Sequence, residues 1–162
     1  MKTLFTLVLV ILSFYSSFGQ NKSVMFGGIA VSEYSGPVIV SNGQYKAYFK
    51  NLGRTSESGY IIVNESNRNF TIRWTNGDEW IAKFSKKEVK SEKDDFFGLI
   101  DKTVYNGIWT DDQTACSLEV IVKKNDGRCF LQLNSQKVIA PEYKIDTWKK
   151  KFVFYTMEKC LE

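Results

Sequence analysis

The stretch Phe70-Thr71-Ile72-Arg73-Trp74-Thr75-Asn76-Gly77-Asp78-Glu79-Trp80-Ile81-Ala82-Lys83-Phe84 decides the fold. Phe70, Ile72 and Trp74 alternate with Thr71 and Arg73, and beyond Asn76-Gly77 the residues Trp80, Ala82 and Phe84 alternate with Ile81 and Lys83. A period of two marks strands with one buried face, and Asn-Gly between two such runs marks a hairpin. Parity then sets the loop length. Both apolar sets fall on even positions, so a two-residue Asn-Gly loop would pair even with odd and put one set in water. A three-residue loop, Thr75-Asn76-Gly77 with Gly77 left-handed, pairs Ile72 with Trp80 and keeps both sets inside.

The same punctuation recurs along the chain. Asn42-Gly43, Asn106-Gly107 and Asp126-Gly127 each lie beside a run rich in β-branched or aromatic residues. Together with the first hairpin they predict strands at 38–40, 45–50, 59–64, 70–75, 80–84, 104–109, 117–123, 129–133 and 152–157. In the Asp126-Gly127 hairpin, Leu118, Val120 and Val122 are even while Cys129, Leu131 and Leu133 are odd. An even loop is needed, and a two-residue type I′ turn would pair Val122 with Leu131. Ile121 and Phe130 then lie on the opposite face, so this hairpin is expected to be covered on both sides. One stretch breaks the pattern: Ser85…Glu88 and Ser91…Asp94 match the capping-box form, and Phe96, Phe97 and Ile100 follow at helical spacing. A short helix within residues 92–102 is the expectation there, with a charged loop as the alternative.

The N-terminus reads as an export signal. Met1-Lys2 is followed by an apolar run from Leu4 to Leu12, and the segment ends Ser17-Phe18-Gly19. A charged start, a short apolar core and a small-x-small site form a secretory signal peptide, too short to span a bilayer. The expectation is a leader at 1–19 and a single β-rich domain at 20–162, secreted or periplasmic. No cysteine lies near the cleavage site, so a lipid anchor is not expected. The composition agrees with a packed globule: 43% hydrophobic, 15% aromatic, and a net charge of +4 that falls to +3 with the leader's lysine. That charge is far from the dense footprint of a nucleic-acid binder.

Three cysteines bound the redox chemistry. Cys116 and Cys129 share a face but sit too far apart along the ladder to be bridged. A disulfide therefore involves Cys160, with Cys116 or Cys129; three buried thiols are the alternative. There is no histidine, which excludes Ser-His-Asp and Cys-His catalysis and His-ligated metals. No phosphate loop or dinucleotide fingerprint is present, and no cofactor is expected. Carboxylate chemistry survives, in the pairs Asp94-Asp95 and Asp111-Asp112 and in Glu79 and Glu119 on predicted strands. A glycosidase needs two carboxylates roughly 5–9 Å apart across a cleft, whereas strand neighbours point to opposite faces. Calcium at Asn106, Asp111 and Asp112 matches no loop motif.

Of the four tryptophans, Trp74 and Trp80 read as core and Trp109 as following a turn. Trp148, Lys149, Lys150 and Lys151 form the candidate binding surface, an aromatic beside three cations that could engage an anionic surface. Tyr105-Asn106-Gly107-Ile108-Trp109, with the hairpin to Leu133, resembles lipocalin-like β-barrels, in which Gly-x-Trp opens a strand closing the barrel base. The resemblance covers about thirty residues, and the motif stands past mid-chain where the family has it near the mature N-terminus. It implies a closed antiparallel barrel with an apolar cavity, and structural roles for Gly107 and Trp109.

The whole predicts a mainly all-β protein, an antiparallel barrel or strongly curled meander of about 8–10 strands, monomeric and without a membrane span. The function expected is non-enzymatic binding of an envelope polymer, a protein or a small apolar ligand. A lipocalin-like carrier is the first alternative, although Phe70, Trp74, Trp80 and Phe84 argue against a roomy interior. A His-free, carboxylate-dependent hydrolase is the second.

Overall fold

The computed structural model describes residues 21–95 and 97–156, so the expected leader and Cys160 lie outside the described residues. Nine antiparallel strands follow in chain order: β1 (Lys22–Ile39), β2 (Tyr45–Thr55), β3 (Gly59–Asn64), β4 (Asn69–Trp74), β5 (Glu79–Asp94), β6 (Gly98–Trp109), β7 (Ala115–Lys123), β8 (Cys129–Ala140) and β9 (Ile145–Thr156). Strand β1 serves three partners: Lys22–Phe26 lie against β3, Ile29–Ile39 against β2, and Phe26–Glu33 against β9. The last pairing closes eight strands into a barrel, with β2 outside it as an added strand. Closure removes the free edges that an open sheet of this size would expose.

The hairpin that decides the fold has the parity argued from its sequence. Ile72 pairs with Trp80 and Phe70 with Ala82, and the Trp74 N–H bonds to Asp78 O at 2.9 Å across a three-residue loop with Gly77 at φ 98°. Phe70, Ile72, Ala82 and Phe84 are all buried. The second hairpin corrects the expected turn. Val122 pairs with Cys129 and Val120 with Leu131, around a four-residue loop at 124–127. The Gly127 N–H reaches Lys123 O, and Asp126 Oδ1 accepts the Arg128 N–H, so the aspartate organises a wider turn than type I′. Four is also even, so the faces stay as expected while the register moves by two. Phe130 and Ile121 pair on the outer face, where the Phe97 ring lies 4.3 Å from that of Phe130.

Two further local signals give way to strands. The strand expected at 104–109 forms and overrides the turn signal of Asn106-Gly107, which lies inside β6 beside a bulge between Phe84 and Lys86. A Cβ on Gly107 would stand 2.3 Å from Lys83 O, so the glycine is there for the close approach of the bulged strand. The short helix expected within 92–102 is instead the far end of the β5–β6 hairpin, where Asp94 pairs with Gly98. Asp94 Oδ1 accepts the Phe97 N–H and Gly98 turns left-handed at φ 76°, which starts the return strand in place of a helical turn. The capping-box serine Ser91 spends its hydroxyl across the ladder, donating to Asp101. Among the described residues there is no α-helix, and so none long enough to cross a membrane.

The barrel interior is filled. Phe26, Phe70 and Phe154, with Ile61, Ile72, Leu118, Leu131 and Leu133, are at most 1% exposed and belong to one contiguous core. Burying a side chain of this size contributes about 1.5–3 kcal/mol. Phe26 stands edge-on to Phe154 at 4.9 Å and to Trp74 at 5.4 Å, which carries the core from β1 to β9 and β4.

Candidate functional site

Antiparallel connectivity sorts the loops onto two ends. The turns at 65–68, 95–97 and 124–127 cluster at the base, and the loops at 56–58, 75–78 and 110–114 at the mouth. The base is closed by a polar clasp. Glu65 takes both of its carboxylate oxygens to Lys87 Nζ at 2.8 Å and accepts a hydrogen bond from Tyr105 Oη at 3.1 Å. The lysine bond lowers the Glu65 pKa below the usual glutamate range, while burial and the facing carboxylate push that of Tyr105 well up.

At the mouth the inward face stays aromatic while burial runs out. Along β4, Phe70 and Ile72 are buried and Trp74 is half-buried; along β5, Phe84 and Ala82 are buried and Trp80 is 38% exposed. Trp80 is the hub of the cluster. Its ring meets Trp74 at 5.1 Å, Phe152 at 5.8 Å and Trp109 at 6.0 Å, each nearly perpendicular. Such edge-to-face pairs contribute about 0.5–1.5 kcal/mol each beyond area burial. Trp109 is pinned by its Nε1–H bond to Ser135 Oγ at 2.9 Å, whereas the buried Trp74 Nε1 has no N or O partner and sits among the Phe26, Trp80 and Phe154 rings.

Two cavities flank Trp80. The larger, about 270 Å³, is lined by Ile29, Val31, Trp74, Trp80 and Phe152, with Glu57, Ser58, Thr75, Asn76 and Asp78. The smaller, about 170 Å³, is lined by Trp80, Trp109, Phe152, Asp111, Asp112 and Ser135. The loops that carry the acids are internally braced. Asn76 Oδ1 accepts the Asp78 N–H and its amide donates to Asp78 Oδ2, while Asp112 Oδ1 accepts from Thr114 N and Oγ1. These bonds depress the Asp112 pKa below the usual aspartate range, so its carboxyl is ionised at neutral pH.

The candidate binding surface from sequence is not one surface. All four residues lie on β9, where alternation sends Trp148 and Lys150 one way and Lys149 and Lys151 the other. Trp148 lines a separate cleft of about 450 Å³ with Lys83, Ile108 and Lys137. Lys149 is exposed, and Lys150 pairs with Ser135 without lining either mouth cavity. Lys151 is half-buried with Nζ 4.1 Å from the Phe49 ring centre, and burial lowers its pKa.

The other sequence candidates scatter. Glu79 pairs with Arg73 at 2.5 Å, Glu119 with Lys102 at 2.9 Å, and Asp94 caps the β5–β6 turn. Of these acids, Asp111 and Asp112 line a cavity at the mouth. Among the described residues no group of Cys, Asp and Glu is arranged to hold a metal ion. Cys116 is a buried free thiol whose pKa burial pushes up to about 12, and Cys129 is disulfide-bonded. Trp74, Trp80, Glu57 and Asp78 were not legible as a site from sequence. The signal that points to them is position: apolar residues at the strand ends beside the Asn76-Gly77 turn, where the barrel no longer covers them. No known protein family, curated protein or solved structure matches this chain.

Proposed function

We propose that this is a non-enzymatic binding protein that works outside the cytoplasm and receives a small ligand at the barrel mouth. One observation carries the reading: side chains fill the interior through base and middle, while cavities flank the half-exposed Trp80 at one end. Small-molecule sites are concave, mostly apolar and furnished with a few convergent polar groups, which is the make-up of this mouth. The lipocalin-like carrier survives in reduced form, as a closed barrel that offers its ligand a mouth and not a deep calyx.

A hydrolase would need a carboxyl held protonated as general acid. At the mouth, the Asp112 carboxyl accepts from Thr114 N and Oγ1, which holds it ionised and does not suit it to the role of general acid. The apolar run and cleavage pattern of residues 1–19 support export.

The test is a binding screen with a panel of small cations, saccharides and apolar alcohols, read by intrinsic tryptophan fluorescence and calorimetry. At least one class should bind, and Trp80→Ala should weaken it tenfold or more while far-UV circular dichroism stays unchanged. Binding that survives Trp80→Ala, or no binding by any class, overturns the mouth as the ligand site.

A further inference from the structure

We propose that the occupant of the mouth is a small organic cation, held between the aromatic walls and the carboxylates of the two cavities. The inference rests on the mouth being the ligand site and adds what the ligand must carry.

Charge is the first argument. Each cavity has two carboxylates, Glu57 and Asp78 in the larger and Asp111 and Asp112 in the smaller, and neither is lined by a lysine or arginine. The chain as a whole has more basic than acidic side chains, 22 against 18. Several acids elsewhere are matched: Glu65, Glu79, Glu88 and Glu119 each meet a lysine or arginine within 4 Å. Among the described residues no salt bridge involves any of the four mouth carboxylates. Negative charge without a basic partner thus gathers beside the half-exposed ring of Trp80.

The second argument is what the walls offer. The hydroxyl and amide groups of the larger cavity are paired with one another, Ser58 Oγ with Thr75 Oγ1 at 3.4 Å and the Asn76 amide on Asp78, and the unpartnered Trp74 Nε1–H is buried among rings, out of an occupant's reach. An occupant meets ring faces and carboxylate oxygens, both of which favour positive charge. Tryptophan is the strongest cation–π partner among side chains, worth about 0.5–1 kcal/mol when exposed and about 2 when desolvated. Perpendicular rings around Trp80 make walls at right angles, which suits a compact cationic head better than a flat ring system. A cavity of about 270 Å³ limits the occupant to a small molecule. An anion would face repulsion without a countercharge, and a neutral apolar ligand would gain nothing from the carboxylates.

Choline and its uncharged isostere 3,3-dimethylbutan-1-ol separate charge from shape, and calorimetry at low salt reads both. Choline should bind at least tenfold more tightly, and raising sodium chloride to 0.3 M should weaken it several-fold. The double variant Glu57→Gln/Asp78→Asn should lose most of that preference. Trp80→Leu, which keeps apolar bulk without the ring, should weaken choline more than the alcohol. Equal binding of the two, unchanged in the double variant, overturns the cation and leaves the mouth as a site. Failure of choline to bind also overturns it, and the mouth reading itself then falls only if the wider panel finds no ligand.

Discussion

The base and the mouth of this barrel are built from the same face of the same strands, yet they behave differently. On β4, Phe70 near the base is 0% exposed, whereas Trp74, the last residue of the strand at the mouth, is half-buried. On β5, Ala82 and Phe84 are buried while Trp80, the next inward residue toward the mouth, is open. Alternation decides which way a side chain points. Closure of the barrel around it decides whether it is core. A clasp from Glu65 and Lys87 to Tyr105 shuts the base, while the mouth loops use their polar groups to brace themselves and leave the rings uncovered.

The sharpest break in this comparison is a truncation at each end. Phe70→Ala should destabilise the fold by about 3–5 kcal/mol, through lost burial and the cavity it leaves. Trp80→Ala should lower stability by less, about 2–3 kcal/mol, because more than a third of the side chain is already wet. Equal losses in chemical denaturation would mean that the mouth is as much core as the base.

The base is also the end that carries a covalent link. Cys129 is disulfide-bonded at the start of β8 and Cys116 is free, so Cys160 is the expected partner. Non-reducing peptide mapping should find Cys129 joined to Cys160, and reduction should lower stability by about 2–4 kcal/mol. A Cys116 adduct, or mapping that leaves Cys129 unlinked, would contradict that placement. Gly107→Ala should be milder, at about 1–3 kcal/mol, since its methyl would press on the Lys83 carbonyl at the bulge.

The smallest expected effect is the pH dependence of the clasp. The Glu65 pKa is lower in the folded chain than its ordinary 4.5, so its contribution is present above that value and is lost as pH falls through the folded pKa. Tyr105 is shifted upward, so its contribution is whole below pH 10.0 and is lost as pH rises through the higher folded pKa. Solvent screening keeps the Glu65 share below about 1 kcal/mol. Glu65→Gln should flatten the acid limb of the stability–pH profile; an unchanged profile would remove Glu65 from the clasp.

How much of this was legible follows the same line. Strand existence and facing were readable because they rest on a period of two: the Ile72–Trp80 register came from parity alone. The turn at Asp126 was misplaced by two residues because parity cannot distinguish a two- from a four-residue loop. Asn106-Gly107 carried a turn signal, but the glycine serves a close strand approach that only the folded neighbour, β5, reveals. Ser91 and Asp94 fit a helix cap and instead bond across a hairpin. The mouth was hidden for a different reason. Trp74 and Trp80 have the pattern of core residues, and their exposure depends on where eight strands stop enclosing space. Glu57, Asp78 and Asp111-Asp112 sit on three loops that are distant in sequence, and only the pairing of β3 to β7 ranges them along one end of the barrel.

The central claim is that ligand meets the protein at the mouth and not inside the barrel. Two-dimensional NMR during a choline titration tests it directly, with Trp148 in its separate cleft as an internal control. The account predicts shifts at the indole N–H signals of Trp74, Trp80 and Trp109, with Trp148 and the methyl groups of Leu118, Leu131 and Leu133 unmoved. Shifts centred on those leucine methyls, or on Trp148 with the other three indoles silent, would contradict it.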